Sequence, residues 1–411
     1  YENANRDPFP FNPQDLTAVL VTHAHIDHSG RIPRLIKEGF KGKIYSTVPT
    51  KALVLPLLLD TVHIMTSGFE RGGNEPLYEE IHVDKTLKLW QGVEYHKVVK
   101  IGSINISFFD AGHILGSSSI LIEVNKKRIV FSGDLGNTPS PMVRATEYIK
   151  NIDYCVIEST YGGRLHEPSQ NRKAELKSAI METIKNKGVL LIPAFAMERT
   201  QELLYELNEL IERHEIPRIP VFVDSPLAVK LTGIYKKYFN YFNIKVIKKI
   251  KDGDQIFEFP GLNISETREQ SKQINNIQPP KIIVAGSGMS QGGRILHHEL
   301  RYLGLKNTIM LFIGYQAVSS LGRKILDGRK LVHIFGEPVR IRAKVSIIGG
   351  YSAHADQRQL FNWVESCKRT LKKIFIVHGE PVEAVALKQL IENKLIIKCL
   401  IPKEGDSCDI I

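Results

Sequence analysis

Thiols are scarce in this chain. Only four cysteines occur among 411 residues, Cys155, Cys367, Cys399 and Cys408, and no two form a Cys-x-x-Cys pair. That density excludes a disulfide-stapled scaffold and a thiolate zinc finger. It suits a reducing, intracellular compartment, expected to be the cytoplasm. Cys155, inside the apolar run Tyr154-Cys155-Val156-Ile157, reads as core. Any metal chemistry then falls to histidine and aspartate. Long apolar runs are missing too. Nothing approaches the roughly 20 residues of a membrane span, so no membrane partner is expected. Internal repeats, heptads and low-complexity tracts are absent, which sets aside solenoids and coiled coils. The opening residues, Tyr1-Glu2-Asn3-Ala4-Asn5-Arg6, lack an initiator methionine and the charged-then-apolar order of a signal peptide. Further residues are therefore expected upstream.

Acidic residues are the short side of the charge balance: Asp plus Glu is 44 against 55 for Lys plus Arg, a net +11. An excess of this sign favours a polyanionic partner through long-range attraction and counterion release, although a merely lysine-rich surface reads the same way. Hydrophobic residues at 43% and charged residues at 24% are ordinary for a globular protein. The length allows two or three domains.

Along the chain, residues 17–22 form a β-branched apolar run read as a buried strand, followed by a His-rich loop and a helix over 32–39. Residues 104–131 alternate as a hairpin does, and 152–157 read as another buried strand. The first third is therefore expected to be sheet-rich with few helices. After about residue 168 the pattern changes. Helices over 174–185, 198–213, 227–238, 294–302 and 321–326 alternate with strands over 189–192, 221–223, 282–285 and 309–313. That alternation predicts a doubly wound, mostly parallel sheet. The lysines of 245–251 read as a solvated face. From about 346 the chain regains its earlier character, with a helix over 358–364 and a strand over 374–377 that delivers His378.

The chemistry concentrates in His23-Ala24-His25-Ile26-Asp27-His28, directly after a strand. Three imidazoles and a carboxylate in six residues are a metal-ligand density, and nitrogen with oxygen donors suits zinc. On a tight turn such side chains diverge, so two ions are expected. Far off in sequence, His113 and Asp134 each follow a strand and border a glycine turn, where a side chain can point into a cleft. Glu158, in Ile157-Glu158-Ser159-Thr160, again ends a buried strand. His354 lies in Tyr351-Ser352-Ala353-His354-Ala355-Asp356, and His378 in Val377-His378-Gly379-Glu380.

His-x-His-x-Asp-His, then a strand-end His and a strand-end Asp, resembles motifs two to four of the metallo-β-lactamase fold. The resemblance implies one zinc held by His23, His25 and His113, a second held by Asp27 and His28, and Asp134 bridging both. His378 is expected to complete the second set, which is otherwise short of a protein ligand. Glu158, Ser352-x-His354 and His378 resemble motifs A, B and C of the β-CASP nucleases, which insert a nucleic-acid-gripping domain between A and B. The implied fold class is α/β: a metallo-β-lactamase αββα sandwich with an inserted doubly wound β-CASP domain. Its domains would be residues 1–168, 169–345 and 346–411. That fold normally begins with strands upstream of anything here, so the first domain is expected to lack its N-terminal strands.

Asp27, Glu158 and His354 are the expected catalytic residues. His354 would protonate the leaving oxygen, Glu158 would orient its ring, and Ser352 would hydrogen-bond the phosphate. A glycine-rich stretch, Gly286-Ser287-Gly288-Met289-Ser290-Gln291-Gly292-Gly293, follows a strand and opens a helix. It is no dinucleotide fingerprint, since position 291 is Gln, and no P-loop, since no Gly-Lys-Ser/Thr closes it. A similar run occurs in the β-CASP insert, so Gly286, Ser287 and Gly288 are expected to contact phosphate. Arg199, opening the next helix-start turn, is either a substrate contact or a buried pairing partner. The expected substrate is single-stranded RNA, and the form of motif B favours endonucleolytic cutting. A homodimer or an RNA-processing complex is the expected assembly. The competing readings are a β-CASP DNA nuclease, a small-molecule ester or lactam hydrolase of the same fold, and a non-catalytic RNA-processing scaffold.

Overall fold

The computed structural model describes residues 5–166 and 171–410. The chain divides into two compact units, Tyr1–Leu165 with Ala353–Ile411, and His166–Ser352. The boundary expected at 168 lies outside the described residues. The second unit closes at Ser352, beyond residue 345, because Lys344–Ile347 pairs in parallel with Thr308–Phe312 and becomes an edge strand of that unit's sheet.

In the first unit a three-stranded parallel sheet (Ala18–Leu20, Lys43–Thr47, Trp90–Val93) faces a seven-stranded mixed sheet. Leu20, Tyr45 and Val93 of the small sheet pack on Ile106, Phe108 and Ile120 of the large one. The large sheet runs in spatial order 399–400, 373–376, 154–157, 127–131, 118–124, 104–110 and 99–101. Its other face packs Leu121, Val130, Ile157 and Ile376 against Leu360, Trp363, Leu387 and Ile391 of the helices Gln357–Glu365 and Pro381–Leu395. Along Ile104–Asp110 one face carries Ile104, Ile106 and Phe108 into the core between the sheets, while the opposite face alternates in Asn105 and Ser107 and sends only Phe109 to the helix-side core.

The expectation of few helices in the first third is corrected. Val48–Phe69 and Glu80–Leu89 are both helical. Val48–Phe69 is also long and apolar enough, by length and composition, to cross a membrane, with mean hydropathy 1.5 in its most apolar window, 17% of which is buried. It is nevertheless built into this unit. Leu53, Val54 and Leu58 are buried. Lys51 donates to the Trp90 carbonyl at 2.6 Å, and Thr50 to the Gly116 carbonyl at 2.9 Å.

The second unit is a six-stranded, wholly parallel sheet, in spatial order 262–264, 221–224, 281–285, 189–193, 308–312 and 344–347. Helix Ile295–Tyr302 covers one face through Ile295 and Tyr302, which cluster with Val189, Leu191 and Ile283. The strand order reverses at the central pair 281–285 and 189–193. In doubly wound sheets ligands bind beyond the carboxyl ends of the strands at such a point.

Candidate metal centre

Each nominated metal ligand of the first unit leaves the carboxyl end of a strand or the turn after it. His23 and His25 follow Ala18–Leu20, and Asp27 and His28 sit on the single helical turn Ile26–Ser29. His113 follows Ile104–Asp110, Asp134 follows Lys127–Phe131, Glu158 follows Tyr154–Ile157, and His378 follows Lys373–Ile376. Asp134 is aimed by Gly133, whose φ of +59° suits glycine, and a Cβ there would lie 2.8 Å from the Thr22 side chain. His378 itself holds φ 48°, a strained value for a non-glycine residue and one typical of functional sites. Its carbonyl accepts the Ser159 N–H at 3.1 Å, which over-determines that backbone.

Seven side chains converge as two sets that share one carboxylate. In the first, Nε2 of His23 and Nε2 of His113 each lie 3.1 Å from Nδ1 of His25. Asp134 Oδ2 lies 3.3 Å from His23 Nε2 and 3.6 Å from His113 Nε2. In the second, His28 Nε2 lies 3.4 Å from Asp27 Oδ2 and 3.5 Å from Asp134 Oδ1. His378 Nε2 lies 3.5 Å from the same Oδ1 and 3.8 Å from Asp27 Oδ2. A tetrahedron with metal–ligand bonds of about 2.1 Å has edges of about 3.4 Å. The spacings match that figure. His28 Nε2 and Asp134 Oδ1 are buried yet have no hydrogen-bond partner, and they face each other across the second set. Unsatisfied buried polar atoms are costly, and a cation between them would remove that cost. The residues fit a divalent metal.

Protonation agrees with this fit. Burial lowers His23 and takes His25 down to about 3, and it holds His113 well below the ordinary imidazole value. All three rings are neutral ligands at neutral pH. The His113 tautomer is set by the Ala353 carbonyl, 3.2 Å from Nδ1. A carbonyl only accepts, so Nδ1 carries the proton and Nε2 presents its lone pair to the site. Burial alone would raise Asp134, but His23 and its neighbours hold it well below the usual carboxylate range.

Glu158 and His354 lie beside this centre. Residues 353–355 are stitched to the segment directly after Asp134. Asn137 N–H donates to the Ala353 carbonyl at 2.8 Å, and Ala355 N–H to the Leu135 carbonyl at 2.7 Å. Glu158 is buried and accepts the Leu135 N–H at 2.6 Å. His354 Nδ1 is 3.3 Å from Glu158 Oε2 and 3.9 Å from Asp134 Oδ2. Burial would lower this imidazole, but the Glu158 carboxylate, then Asp134 and Asp27, carry it up to about 9. The Ala353 carbonyl and the Leu135 N–H were invisible to sequence reasoning, because backbone groups carry no residue-type signal.

The nominated substrate contacts belong to the second unit. The Pro193–Arg199 turn and the glycine loop flank each other at the carboxyl ends of the central strands, where Ala194 N–H donates to the Ala285 carbonyl at 3.0 Å. Gly288 is required there, since a Cβ would lie 2.7 Å from the Phe195 ring. Gly286 and Ser287 are half-buried in the same loop. Arg199 does not reach outward. It is 6% exposed and paired with Glu202 one turn along its own helix, the geometry of the buried pairing partner, one of the two readings left open for it. Ser352 is half-buried and closes the 3-10 turn Gly349–Tyr351.

A metal centre of two linked sets at strand ends, in a layered α/β sandwich interrupted by a parallel α/β unit, defines a metal-dependent hydrolase of the metallo-β-lactamase class. Three families match in succession: the Beta-lactamase superfamily domain over residues 2–169, the Beta-Casp domain over 200–325, and the Zn-dependent metallo-hydrolase RNA specificity domain over 338–402. A ribonuclease of Thermus thermophilus is 35% identical over 95% of this chain and 87% of its own length. An RNase J-like protein of Methanocaldococcus jannaschii is 33% identical over 94% of this chain and 87% of its own. The transcription termination factor FttA of Methanosarcina mazei is 31% identical over 95% of this chain, which spans 62% of that protein. The chain belongs to the β-CASP family of metallo-β-lactamase-fold hydrolases. A crystal structure of a protein of unknown function from Enterococcus faecalis V583 shares the fold, with a TM-score of 0.54, 14% identity, and coverage of 95% of this chain and 80% of that one.

Proposed function

We propose that the protein is a zinc-dependent ribonuclease that hydrolyses phosphodiester bonds within single-stranded RNA, with two zinc ions per chain. The observation that carries this reading is the shared Asp134 carboxylate, one oxygen facing three imidazoles and the other facing His28 and His378, with the Glu158–His354 pair alongside. His23, His25 and His113 would hold one ion and Asp27, His28 and His378 the other, with Asp134 between them. When bound, such a pair would acidify a water and stabilise charge on the phosphoryl group.

The remaining work falls to side chains. His354, whose protonated form the Glu158 carboxylate favours, is placed to give a proton to the leaving 3′-oxygen, and Glu158 fixes its ring through Nδ1. Asp27, the most exposed ligand, with 60% of its side chain accessible, would orient the attacking water. Ser352 and the glycine loop at Gly286, Ser287 and Gly288 would contact phosphates. The ribonuclease names of two relatives support the substrate class. Four free thiols suit the cytoplasm as the working compartment. A homodimer or an RNA-processing complex is the proposed assembly.

One RNA labelled at the 5′ end and, separately, at the 3′ end tests the cutting mode. Labelled fragments of intermediate length that appear early with either label are the expected result, and labelled mononucleotide alone from the 5′-labelled RNA would refute endonucleolysis. Elemental analysis of desalted protein should show two zinc ions per chain. Cleavage of DNA or of a chromogenic ester in preference to RNA would overturn the substrate assignment.

A further inference from the structure

Between Ser225 and Asp252 the second unit carries seven lysines and no acidic residue. This stretch forms helix Pro226–Lys237, the 3-10 turn Phe239–Tyr241 and helix Ile244–Lys251. One side of it is core: Ala228, Leu231, Tyr235, Phe242 and Val246 are buried. The lysines take the other side. Lys236 pairs with Glu258, and Lys249 with Glu209 and Asp254. Lys230, Lys237, Lys245, Lys248 and Lys251 are exposed, and among the described residues none of these five has an ion-pair partner. Lysines spaced at i, i+3 on one short helix repel one another and weaken it. Two half-exposed tyrosines lie within the basic tract, Tyr238 and Tyr241, with ring centroids 6.2 Å apart, and Lys237 Nζ sits 5.6 Å from the Tyr238 centroid.

We propose that this basic, aromatic surface is a second binding site, for the backbone and bases of a single-stranded polynucleotide. Unpaired lysines supply sequence-independent phosphate contacts. Tyrosine rings supply stacking platforms that tolerate any base. An anionic membrane is the other surface a basic amphipathic helix can meet, but that requires a free apolar face. Here Val246 is buried and Ile247 and Ile250 are partly buried; Ile244, 86% exposed, is the one apolar side chain of Ile244–Lys251 left free, too little to insert into a bilayer. The site rests on the RNA reading only for the choice of RNA as polynucleotide.

The test uses the full chain in excess chelator, so that nothing is cut, and a fluorescein-labelled oligouridylate of about 30 nucleotides, long enough to span several phosphate contacts. Replacing the five unpaired lysines by Gln should weaken binding and lower the slope of log K against log salt by roughly 3 to 4, at about 0.7 per lost phosphate contact on a single strand. The same five positions as Arg should retain both. Tyr238→Ala should weaken binding roughly 5- to 100-fold through lost stacking, while Tyr238→Phe should not. Turnover of an octanucleotide should be unchanged in the Gln variant. An unchanged affinity and salt slope in the Gln variant overturns the proposal. So does capture by phosphatidylserine vesicles that the Gln variant loses while RNA binding stays intact. Because the probe is not cut, failure of the ribonuclease reading would appear only in the cleavage assays, not here.

Discussion

The two halves of the metal centre are built differently. His23 and His113 have no exposed side-chain surface, Asp134 has 3%, and His25 is the one partly exposed member of that set. Across the shared carboxylate, Asp27 has 60% of its side chain exposed, His378 39% and His28 20%. The buried half lies at the ends of strands of both facing sheets and has its ring tautomer set by a backbone carbonyl. The exposed half depends on a single helical turn and on a strained residue. A buried, pre-oriented set loses little entropy on closing around an ion. An exposed one must order its side chains first and competes with water. On the two-ion reading proposed above, the difference predicts one tightly held ion and one that exchanges more readily.

Removing the carboxylate that joins the halves should have the largest effect. Asp134→Ala is expected to take zinc below one equivalent per chain and cleavage to background, read by elemental analysis beside a single-turnover assay. Two retained equivalents would show that the halves do not depend on Asp134.

His354→Ala should leave both halves loaded and RNA binding intact but slow cleavage by roughly 10²–10⁴-fold, the usual span for a general acid. Glu158→Gln should resemble it in milder form, since it disturbs the orienting partner. If His354→Ala sheds metal while His378→Ala does not, the two roles are reversed.

Within the centre, His378→Ala should cost one equivalent and most of the cleavage while the buried set stays filled. Chelator titration of the unaltered protein should be biphasic, with the exposed half emptied first. The two phases should differ by at least the roughly 10–100-fold seen when a ligand loses its support. A single phase would mean that the contrast in burial has no thermodynamic consequence.

The smallest effect concerns the scaffold of the buried half. Burial pushes Asp110 up to about 7, against the Gly112 N–H bond and Arg144, from an ordinary value of 3.8. The folded state therefore holds this proton more tightly than the unfolded chain does. Its contribution to stability is full below pH 3.8, falls as pH rises toward about 7, and is level beyond. Asp110→Asn should flatten that decline, which is on the order of a few kcal/mol, in urea unfolding of metal-free protein at pH 5 and pH 7.5. An unchanged slope would place the pH dependence elsewhere.

Much of the centre was legible beforehand. His23, His25, Asp27 and His28 stand together, and His113, Asp134, Glu158 and His378 each close an apolar run, which is how a sheet delivers side chains to one edge. The helix Val48–Phe69 was not legible. It is apolar on nearly every side, so the 3.6-residue period that marks an amphipathic helix is absent. Edge strands such as Leu262–Ile264 and Lys344–Ile347 were missed because they are short and partly exposed, so no apolar run marks them. Arg199 opens its helix equally well as a ligand contact or as a core ion pair, and only the neighbouring Glu202 decided between them.

By itself the sequence determined which donors exist, and hence the chemistry: nitrogen and oxygen ligands, a carboxylate–imidazole pair, scarce thiols. Residue type is local information, and it survives in any conformation. Only the tertiary structure decided which atoms meet. It split the Asp134 oxygens between two ligand sets, and it brought the Ala353 carbonyl to His113 across 240 positions of chain. Such convergence comes from sheet topology and backbone hydrogen bonds, which every residue can make and which therefore leave no mark in the order of side chains.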